Sequence, residues 1–133
     1  MKNLRSFLYP KKKENLKFVL SDAFIDDDGK PIEWEIRQLT AKEGIEARKQ
    51  LNQSDDIVEQ SLGYLAEAVV YPDLHDKELL DGISEIIGHK VLSAKDVLLY
   101  LLDDDQIIGL VSTYLQYSAI DRTVDELAAN LKN

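Results

Sequence analysis

The chain has 133 residues, of which 44% are apolar and 31% are charged, a composition typical of one globular domain with a single hydrophobic core. It contains no cysteine, which excludes disulfides, thiolate metal ligands and cysteine nucleophiles. Its 25 acidic residues outnumber its 16 basic residues, and this excess disfavours nucleic-acid binding by the folded part because phosphate backbones are also anionic. No apolar run approaches the roughly 20 residues of a membrane span, so we expect neither nucleic acid nor membrane among the partners.

The basic charge is concentrated at the N-terminus. Residues 1–20 contain six Lys or Arg and one acidic residue, which leaves ten basic and 24 acidic residues for the rest of the chain. This segment lacks an apolar stretch of signal-peptide length, so we expect a cytoplasmic protein. We interpret residues 1–16 as a flexible basic arm and residues 17–133 as a single domain.

The acidic stretch FIDDDGKPIEWE has the composition of a calcium-binding EF-hand loop. If Gly29 takes the sixth position of such a loop, Phe24 takes the first, where a phenyl ring cannot coordinate a cation. The following residues PIEWEIRQL alternate between apolar and polar, which predicts a half-buried strand rather than the helix that an EF-hand requires. We therefore predict a β-hairpin over residues 17–39, with the acidic run as its turn and Gly29 at a positive φ, and we expect no metal.

One face of the predicted hairpin is apolar. Phe18 and Leu20 on the first strand share their parity with Ile32, Trp34 and Ile36 on the second. We predict that Trp34 packs the hairpin against the helices and that Phe18 or Leu20 lies opposite it across the strands.

The next segment carries a helix-start signal. Thr40 and Glu43 form the capping-box pattern, in which each side chain accepts a hydrogen bond from the other residue's backbone N–H. The pattern predicts a helix that extends to about Asn52, with Ile45 and Leu51 as its main apolar contacts.

Two further helices are predicted in the middle of the chain. The first covers about residues 55–71, with Ser54 as its N-cap, a broad apolar stripe, and Pro72 as its stop. The second is short, covers residues 76–80 and ends before Gly82. The stretch SEIIGHKVL that follows fits a helix or a strand.

The last third of the chain contains three more helix signals. Ser93 is a predicted N-cap, the acidic residues 103–105 precede a helix over residues 106–118, and a capping box at residues 123–126 opens a terminal helix. The helix after Ser93 presents an apolar face made of Val97, Leu98, Leu101 and Leu102. The pattern predicts a mainly α, α+β fold in which an N-terminal β-hairpin is followed by a compact bundle of five or six short helices.

The helix over residues 106–118 is apolar on more than one side. Ile107 and Tyr114 lie on one side, and Ile108 and Leu115 lie on another. A helix of this kind is either centrally buried or partly covered by a partner, and tyrosines suit protein interfaces. We hypothesise a partner-binding surface on this helix that consists of Leu110, Tyr114 and Tyr117.

No catalytic constellation emerges from the sequence. The nucleophile pattern G-x-S-x-G and both glycine-rich phosphate loops are absent, and His75 and His89 fall in different elements without zinc-ligand spacing. We therefore expect no enzyme activity, no catalytic residue, no cofactor and no metal. From the residues alone, the chain is an acidic α+β domain that works by binding another protein.

Two segments carry a resemblance to a known family. DDDGKPIEWEIRQLTAKE resembles the hairpin-and-tryptophan opening of the XkdN-like tail assembly chaperones of tailed phages and prophages, and AEAVVYPDLHDKELLD is similar to the central stretch of that family. The predicted helices that follow occur in the same order as in that family, and the last is an acidic terminal helix that ends at Lys132 and Asn133. The resemblance covers about residues 17–133.

The resemblance implies a non-enzymatic role in phage assembly. Such chaperones keep the long tape measure protein soluble in the host cytoplasm, help the tail tube protein polymerise around it, and are absent from the mature virion. The sequence also leaves self-association of the chain open. In this family, ribosomes slip by one frame near the end of the gene to make a longer form, and a Lys-Asn ending is compatible with such a slip.

Two other functions compete with this interpretation. The chain could instead be a virion component, such as a tail completion or connector protein, or a small accessory or regulatory domain of a mobile element. A virion component is present in purified particles, whereas an accessory domain copurifies with an enzyme.

Overall fold

The computed structural model describes residues 4–49 and 56–118. Within these residues, six helices and a three-stranded antiparallel sheet confirm the predicted mainly α, α+β fold with an N-terminal hairpin. In chain order, the elements are α1 (Arg5–Leu8), β1 (Leu16–Val19), β2 (Glu33–Ile36), α2 (Ala41–Lys49), α3 (Ile57–Ala68), β3 (Val69–Tyr71), α4 (Lys77–Ile87), α5 (Ala94–Leu101) and α6 (Asp104–Ser118). The predicted terminal helix, the helix contact of Leu51 and the Lys-Asn ending lie outside the described residues.

The hairpin forms as predicted, with the acidic run as its turn. The backbone N–H of Gly29 donates to the Asp26 carbonyl oxygen at 3.0 Å, and Gly29 has φ of 80°. A carboxylate oxygen of Asp26 accepts hydrogen bonds from the backbone N–H groups of Asp28 and Lys30, at 2.8 and 2.9 Å. The acidic side chain at the start of the run therefore stabilises the turn.

Trp34 anchors the hairpin on the helices. It pairs with Phe18 in the β1–β2 register, as predicted, and is 2% exposed. The ring of Phe24 meets its indole edge-on, with ring centroids 5.9 Å apart. Trp34 and Ile36 therefore carry the apolar face of β2 into the core.

The sheet has a third strand that the sequence pattern does not reveal. We predicted one helix over residues 55–71, but α3 ends at Ala68 and residues 69–71 form β3, which pairs antiparallel with β2. The pairing joins Ile36 with Val69 and Glu35 with Tyr71. Since Val69, Val70 and Tyr71 are β-branched or aromatic, they favour a strand once an open sheet edge lies beside them.

Two other helix predictions need correction. We predicted that the helix after Asp76 ends before Gly82, but α4 continues to Ile87 and ends where Gly88 takes φ of 82°. A glycine inside a helix costs only about 1 kcal/mol, which packing of the apolar face of α4 offsets. In α2, the buried residues are Gly44 and Ala47, whereas the predicted contact Ile45 is exposed.

Side-chain caps define most of the helix starts. The Thr40–Glu43 capping box and the Ser93 cap on Asp96 are present as predicted. Helix α3 is capped by Asp56 rather than by the predicted Ser54, which lies outside the described residues. Before α6, Asp103 and Gln106 form a further capping box, in which each side chain accepts from the other's backbone N–H at 3.0 Å.

Helix α3 lies at the centre of the helical part, where it contacts α2, α5 and α6. The apolar faces of these helices and the inner face of the sheet meet in one core. The largest fully buried side chains are Ile36, Leu65, Leu74, Val97, Leu98 and Leu110. This packing places the C-terminal half of α6 beside the start of α2, where a groove opens.

Candidate protein-binding groove

The three residues of the hypothesised partner surface lie on the inner face of α6. Leu110 is fully buried, and Tyr114 and Tyr117 are each 9% exposed. Leu110 is therefore a core residue in the described fold, whereas the edges of Tyr114 and Tyr117 reach a groove. The partner-binding role of the three residues stays a prediction.

The groove lies between the start of α2, the middle of α3 and the end of α6, and we call it the tyrosine groove. Its volume is about 480 Å³. Its walls are formed by Lys13, Arg37, Gln38, Leu39, Thr40, Ala41, Gly44, Arg48, Tyr64, Tyr114, Tyr117 and Ser118. It combines three phenol rings with polar and basic residues, which suits a peptide segment better than a small apolar ligand.

Hydrogen bonds and ring contacts hold the three tyrosines in place. The rings of Tyr64 and Tyr114 stack with centroids 6.2 Å apart, and an Arg48 guanidinium nitrogen lies 3.1 Å from the Tyr64 hydroxyl. The Tyr117 hydroxyl donates to the Glu14 carbonyl oxygen at 2.8 Å. Burial raises the pKa of both Tyr114 and Tyr117 above the ordinary value of 10, so both phenols are neutral at physiological pH.

The groove is lined by basic side chains, although the protein as a whole is acidic and the charge of Arg37 is balanced by Glu43. Lys13, Arg37 and Arg48 lie in its walls, and none of the described residues that form those walls is acidic. The Lys13 ammonium lies 4.4 Å from the centroid of the Tyr117 ring and also donates to the Tyr117 carbonyl oxygen. Such a site favours a partner segment that carries carboxylates next to apolar side chains.

Arg37 is held at the groove by a carboxylate just behind it. Its two terminal nitrogens donate to the two oxygens of Glu43, at 3.0 and 2.7 Å, and Glu43 also caps α2. The hydrogen bonds from Arg37, followed by that from the Thr40 backbone, lower the pKa of Glu43 from 4.5 to about 2. This network joins the end of the sheet to the first turn of α2.

The low pKa of Glu43 predicts a pH-dependent loss of stability. Because the folded pKa lies below the unfolded value, the contribution of Glu43 is complete above pH 4.5 and declines as the pH falls towards 2. Glu43→Gln should therefore lower the free energy of unfolding at pH 7 by at most about 1 kcal/mol, since the pair is about one-third exposed.

Urea unfolding of the two proteins between pH 7 and pH 2.5 measures this difference. The stability gap between Glu43→Gln and the parent protein should narrow as the pH falls. A gap that stays constant over this range would show that Glu43 is not the carboxylate that titrates. Asp73→Asn serves as the control, because Asp73 makes a local backbone contact far from this ion pair in sequence.

The outer face of α6 also bears apolar residues. Ile108 and Leu115 are exposed and lie seven residues apart, so they share one side of the helix. This confirms that the helix is apolar on two sides, and it shows that the second side faces solvent.

The described residues contain no group of three or more His, Cys, Asp or Glu side chains that could hold a metal ion. Among the helices of the described ranges, none is long and apolar enough to cross a membrane.

A family model decides where the chain belongs. The model of the XkdN-like phage tail assembly chaperone proteins matches residues 4–132, which is nearly the whole chain. This chain is a member of the XkdN-like tail assembly chaperone family. The match confirms the family suggested by the hairpin-and-tryptophan segment and by the Pro-Asp-Leu segment.

A solved structure supports the fold of this tail assembly chaperone. The crystal structure of the protein YqbN superposes with a TM-score of 0.71 at 18% sequence identity, covering 91% of this chain and 99% of that one. At this level of identity the likeness concerns the fold alone. A comparison with curated protein sequences finds no significant match.

Of the twelve residues that line the chaperone's groove, the sequence alone identified only Tyr114 and Tyr117 as functional candidates. Three other elements supply further lining residues: the segment before β1 supplies Lys13, α2 supplies Arg48, and α3 supplies Tyr64. Only the tertiary fold brings them to the tyrosines of α6. Lys13 was assigned to a solvated arm, although it contacts Tyr117, which is 104 residues away in the chain. The signal for Lys13 in the sequence was the concentration of basic residues within residues 1–20 of an otherwise acidic chain.

Proposed function

We propose that this tail assembly chaperone binds the tape measure protein and keeps it soluble while the tail tube protein assembles around it. The observation that carries the proposal is the family match over residues 4–132. The proposed action is non-catalytic and takes place in the host cytoplasm, and the chaperone is absent from the mature virion.

The physical properties of the chain support such a role. A tape measure protein is expected to be a long helical polypeptide with apolar stripes, which aggregates unless the stripes are covered. A protein with a net charge of −9 that covers part of such a stripe adds charge to the complex and keeps it soluble. Binding of a helical segment requires only a groove and a few anchor residues.

We place the contact at the tyrosine groove, with Tyr114 and Tyr117 in its wall and Leu110 behind them in the core. Three features support this placement: the groove is concave, three tyrosines line it, and its walls carry Lys13, Arg37 and Arg48. The tape measure segment that fits it would carry apolar side chains with Asp or Glu nearby.

Arg48→Glu is the sharpest test of the groove, because Arg48 is exposed and is not itself a core residue. A charge placed at Tyr117 would also disturb buried packing. We expect Arg48→Glu to reduce the soluble fraction of co-expressed tape measure protein to the level seen without the chaperone. The reason is that the reversed charge would repel the acidic partner segment.

Lys42→Glu is the matched control. Lys42 is an exposed cation on the same helix that does not line the groove, so the same change in net charge should leave the soluble fraction unchanged. Thermal melts of both variants check that they fold. If Arg48→Glu folds and still solubilises the tape measure protein, the contact lies outside the groove. If the parent chain itself fails to solubilise the tape measure protein, the proposed function is wrong.

Purified phage particles separate the proposed role from that of a virion component. The chain should be detectable in lysates during assembly and absent from particles analysed by mass spectrometry. Detection in particles at a defined copy number would favour a tail completion or connector protein.

A further inference from the structure

The N-terminal arm presents an uncovered apolar surface next to basic residues. We define the arm as residues 4–12. Its short helix α1 has no buried residue, and Leu4, Phe7 and Leu8 are 70–80% exposed. These three lie at positions i, i+3 and i+4, so they form one apolar side when the segment is helical. The arm contains Arg5, Lys11 and Lys12 and no acidic residue.

Residues 13–15, which follow the arm, contact the folded domain. Lys13 lies over the Tyr117 ring, the Glu14 carbonyl oxygen accepts from the Tyr117 hydroxyl, and Asn15 donates to the Glu35 carboxylate at 2.8 Å. The arm therefore leaves the body at a defined point. With α1 helical, its nine residues span on the order of 20 Å, far enough to reach a neighbouring molecule.

The outward side of α4 has the complementary character. Gly82 lacks a side chain and leaves a shallow notch, which is lined by Lys77, Glu78, Asp81 and Glu85. Within the described residues, none of the three acids forms an ion pair. One helical turn after Gly82, Ile86 is 85% exposed. An acidic notch beside an exposed isoleucine suits an occupant that is both basic and apolar.

We propose that the arm of one molecule docks on α4 of a second copy. In this arrangement, Phe7 and Leu8 cover the Gly82 notch and Ile86, while Lys11 and Lys12 approach the acids of α4. The chain's own α4 does not cover the arm, because the apolar side chains of the arm stay exposed in the single molecule. Reciprocal exchange of two arms closes a twofold dimer without leaving an open binding site.

This dimer is independent of the tyrosine groove, so the two proposals fail separately. Lys13 anchors the base of the arm at the groove wall, and the docking residues 4–12 lie before it. The dimer would shield apolar residues at the N-terminus of each chain.

Charge exchange provides a specific test by sedimentation equilibrium. The parent chain should form a dimer that weakens as salt increases, because the attraction is between exposed charges. Lys11→Glu/Lys12→Glu and, separately, Asp81→Lys/Glu85→Lys should each weaken dimerisation at least about tenfold. An equal mixture of the two double variants should dimerise again, because each arm then meets an α4 of opposite charge.

Two further variants test the apolar part and the notch. Phe7→Ser should weaken the dimer. It should leave the melting temperature unchanged at concentrations at which both proteins are monomeric, since Phe7 is exposed in the single molecule. Gly82→Gln should fill the notch and weaken the dimer too, whereas Gly82→Ala adds a single carbon and should weaken it less. Both variants should fold, because a Cβ atom at Gly82 meets no atom of its own chain within 4 Å. Lys30→Glu/Lys42→Glu is the control for Lys11→Glu/Lys12→Glu. It makes the same change in net charge at positions outside the arm and outside α4, so it should leave the dimer intact.

Three outcomes would overturn the proposal. The first is a parent chain that stays monomeric at the highest concentration tested. The second is a dimer that survives both charge reversals, and the third is a mixture of the double variants that stays monomeric. If the chain is monomeric and Phe7 is nevertheless shielded from solvent, the arm docks on its own molecule.

Discussion

Replacing Trp34 by alanine is expected to lower the free energy of unfolding by about 3–5 kcal/mol, the largest single effect on the hairpin. The indole is 2% exposed, pairs across the strands with Phe18 and meets the Phe24 ring edge-on. Truncation removes the contacts of both rings and leaves a cavity between the sheet and the helices. The neighbouring side chains cannot fill it without moving β2.

Urea unfolding monitored by circular dichroism measures this loss. Val19→Ala on the same hairpin is the control and should cost less than about 1 kcal/mol, because Val19 faces solvent. A loss for Trp34→Ala as small as that of the control would mean that the indole contributes little to the core. Trp34 would then become a candidate for partner contact.

The elements set by local chemistry were those that sequence analysis predicted best. The Thr40–Glu43 capping box and the Ser93 cap involve side chains that bond backbone groups three residues away, so the local sequence contains all the participants. The hairpin belongs to the same group. Its turn requires a positive φ at Gly29, and its strands alternate with a period of two.

The elements set by tertiary pairing were those that sequence analysis missed. β3 continues the apolar run of α3, and only the open edge of β2 converts residues 69–71 into a strand. Gly82 looked like a helix end, but α4 continues through it because its apolar side packs on the core. In α2, a close approach to α3 buries the small residue Ala47 and leaves the larger Ile45 exposed.

The candidate site could be predicted only in part for the same reason. Periodicity groups Leu110 with Tyr114 and Tyr117, and the structure places all three on the core-facing side of α6. Periodicity does not say which side of a doubly apolar helix faces the core. It also cannot bring Arg48 to Tyr64 or Lys13 to Tyr117, because these contacts depend on the packing of separate elements.

The contrast between the two sides of α6 leads to a matched pair of substitutions. Leu110→Ala should lower the free energy of unfolding by about 2–5 kcal/mol, because Leu110 is fully buried and truncation leaves a cavity beside α3. Ile108→Ala, two residues earlier on the same helix, should cost less than about 1 kcal/mol, because Ile108 is 48% exposed. Both substitutions remove aliphatic groups from the same helix, so a difference between them reports burial rather than helix propensity.

The same pair separates a structural role of Leu110 from a contact role. Under conditions in which Leu110→Ala is still mostly folded, tape measure protein should remain soluble with this variant. Leu110 lies behind Tyr114 and Tyr117 and does not line the groove. If Leu110→Ala is as stable as Ile108→Ala, the inner face of α6 is not buried as described. The opposite result is a folded Leu110→Ala that no longer keeps the tape measure protein soluble, together with an Arg48→Glu that does. In that case the partner reaches the inner face of α6, and binding must open the packing between α6 and α3.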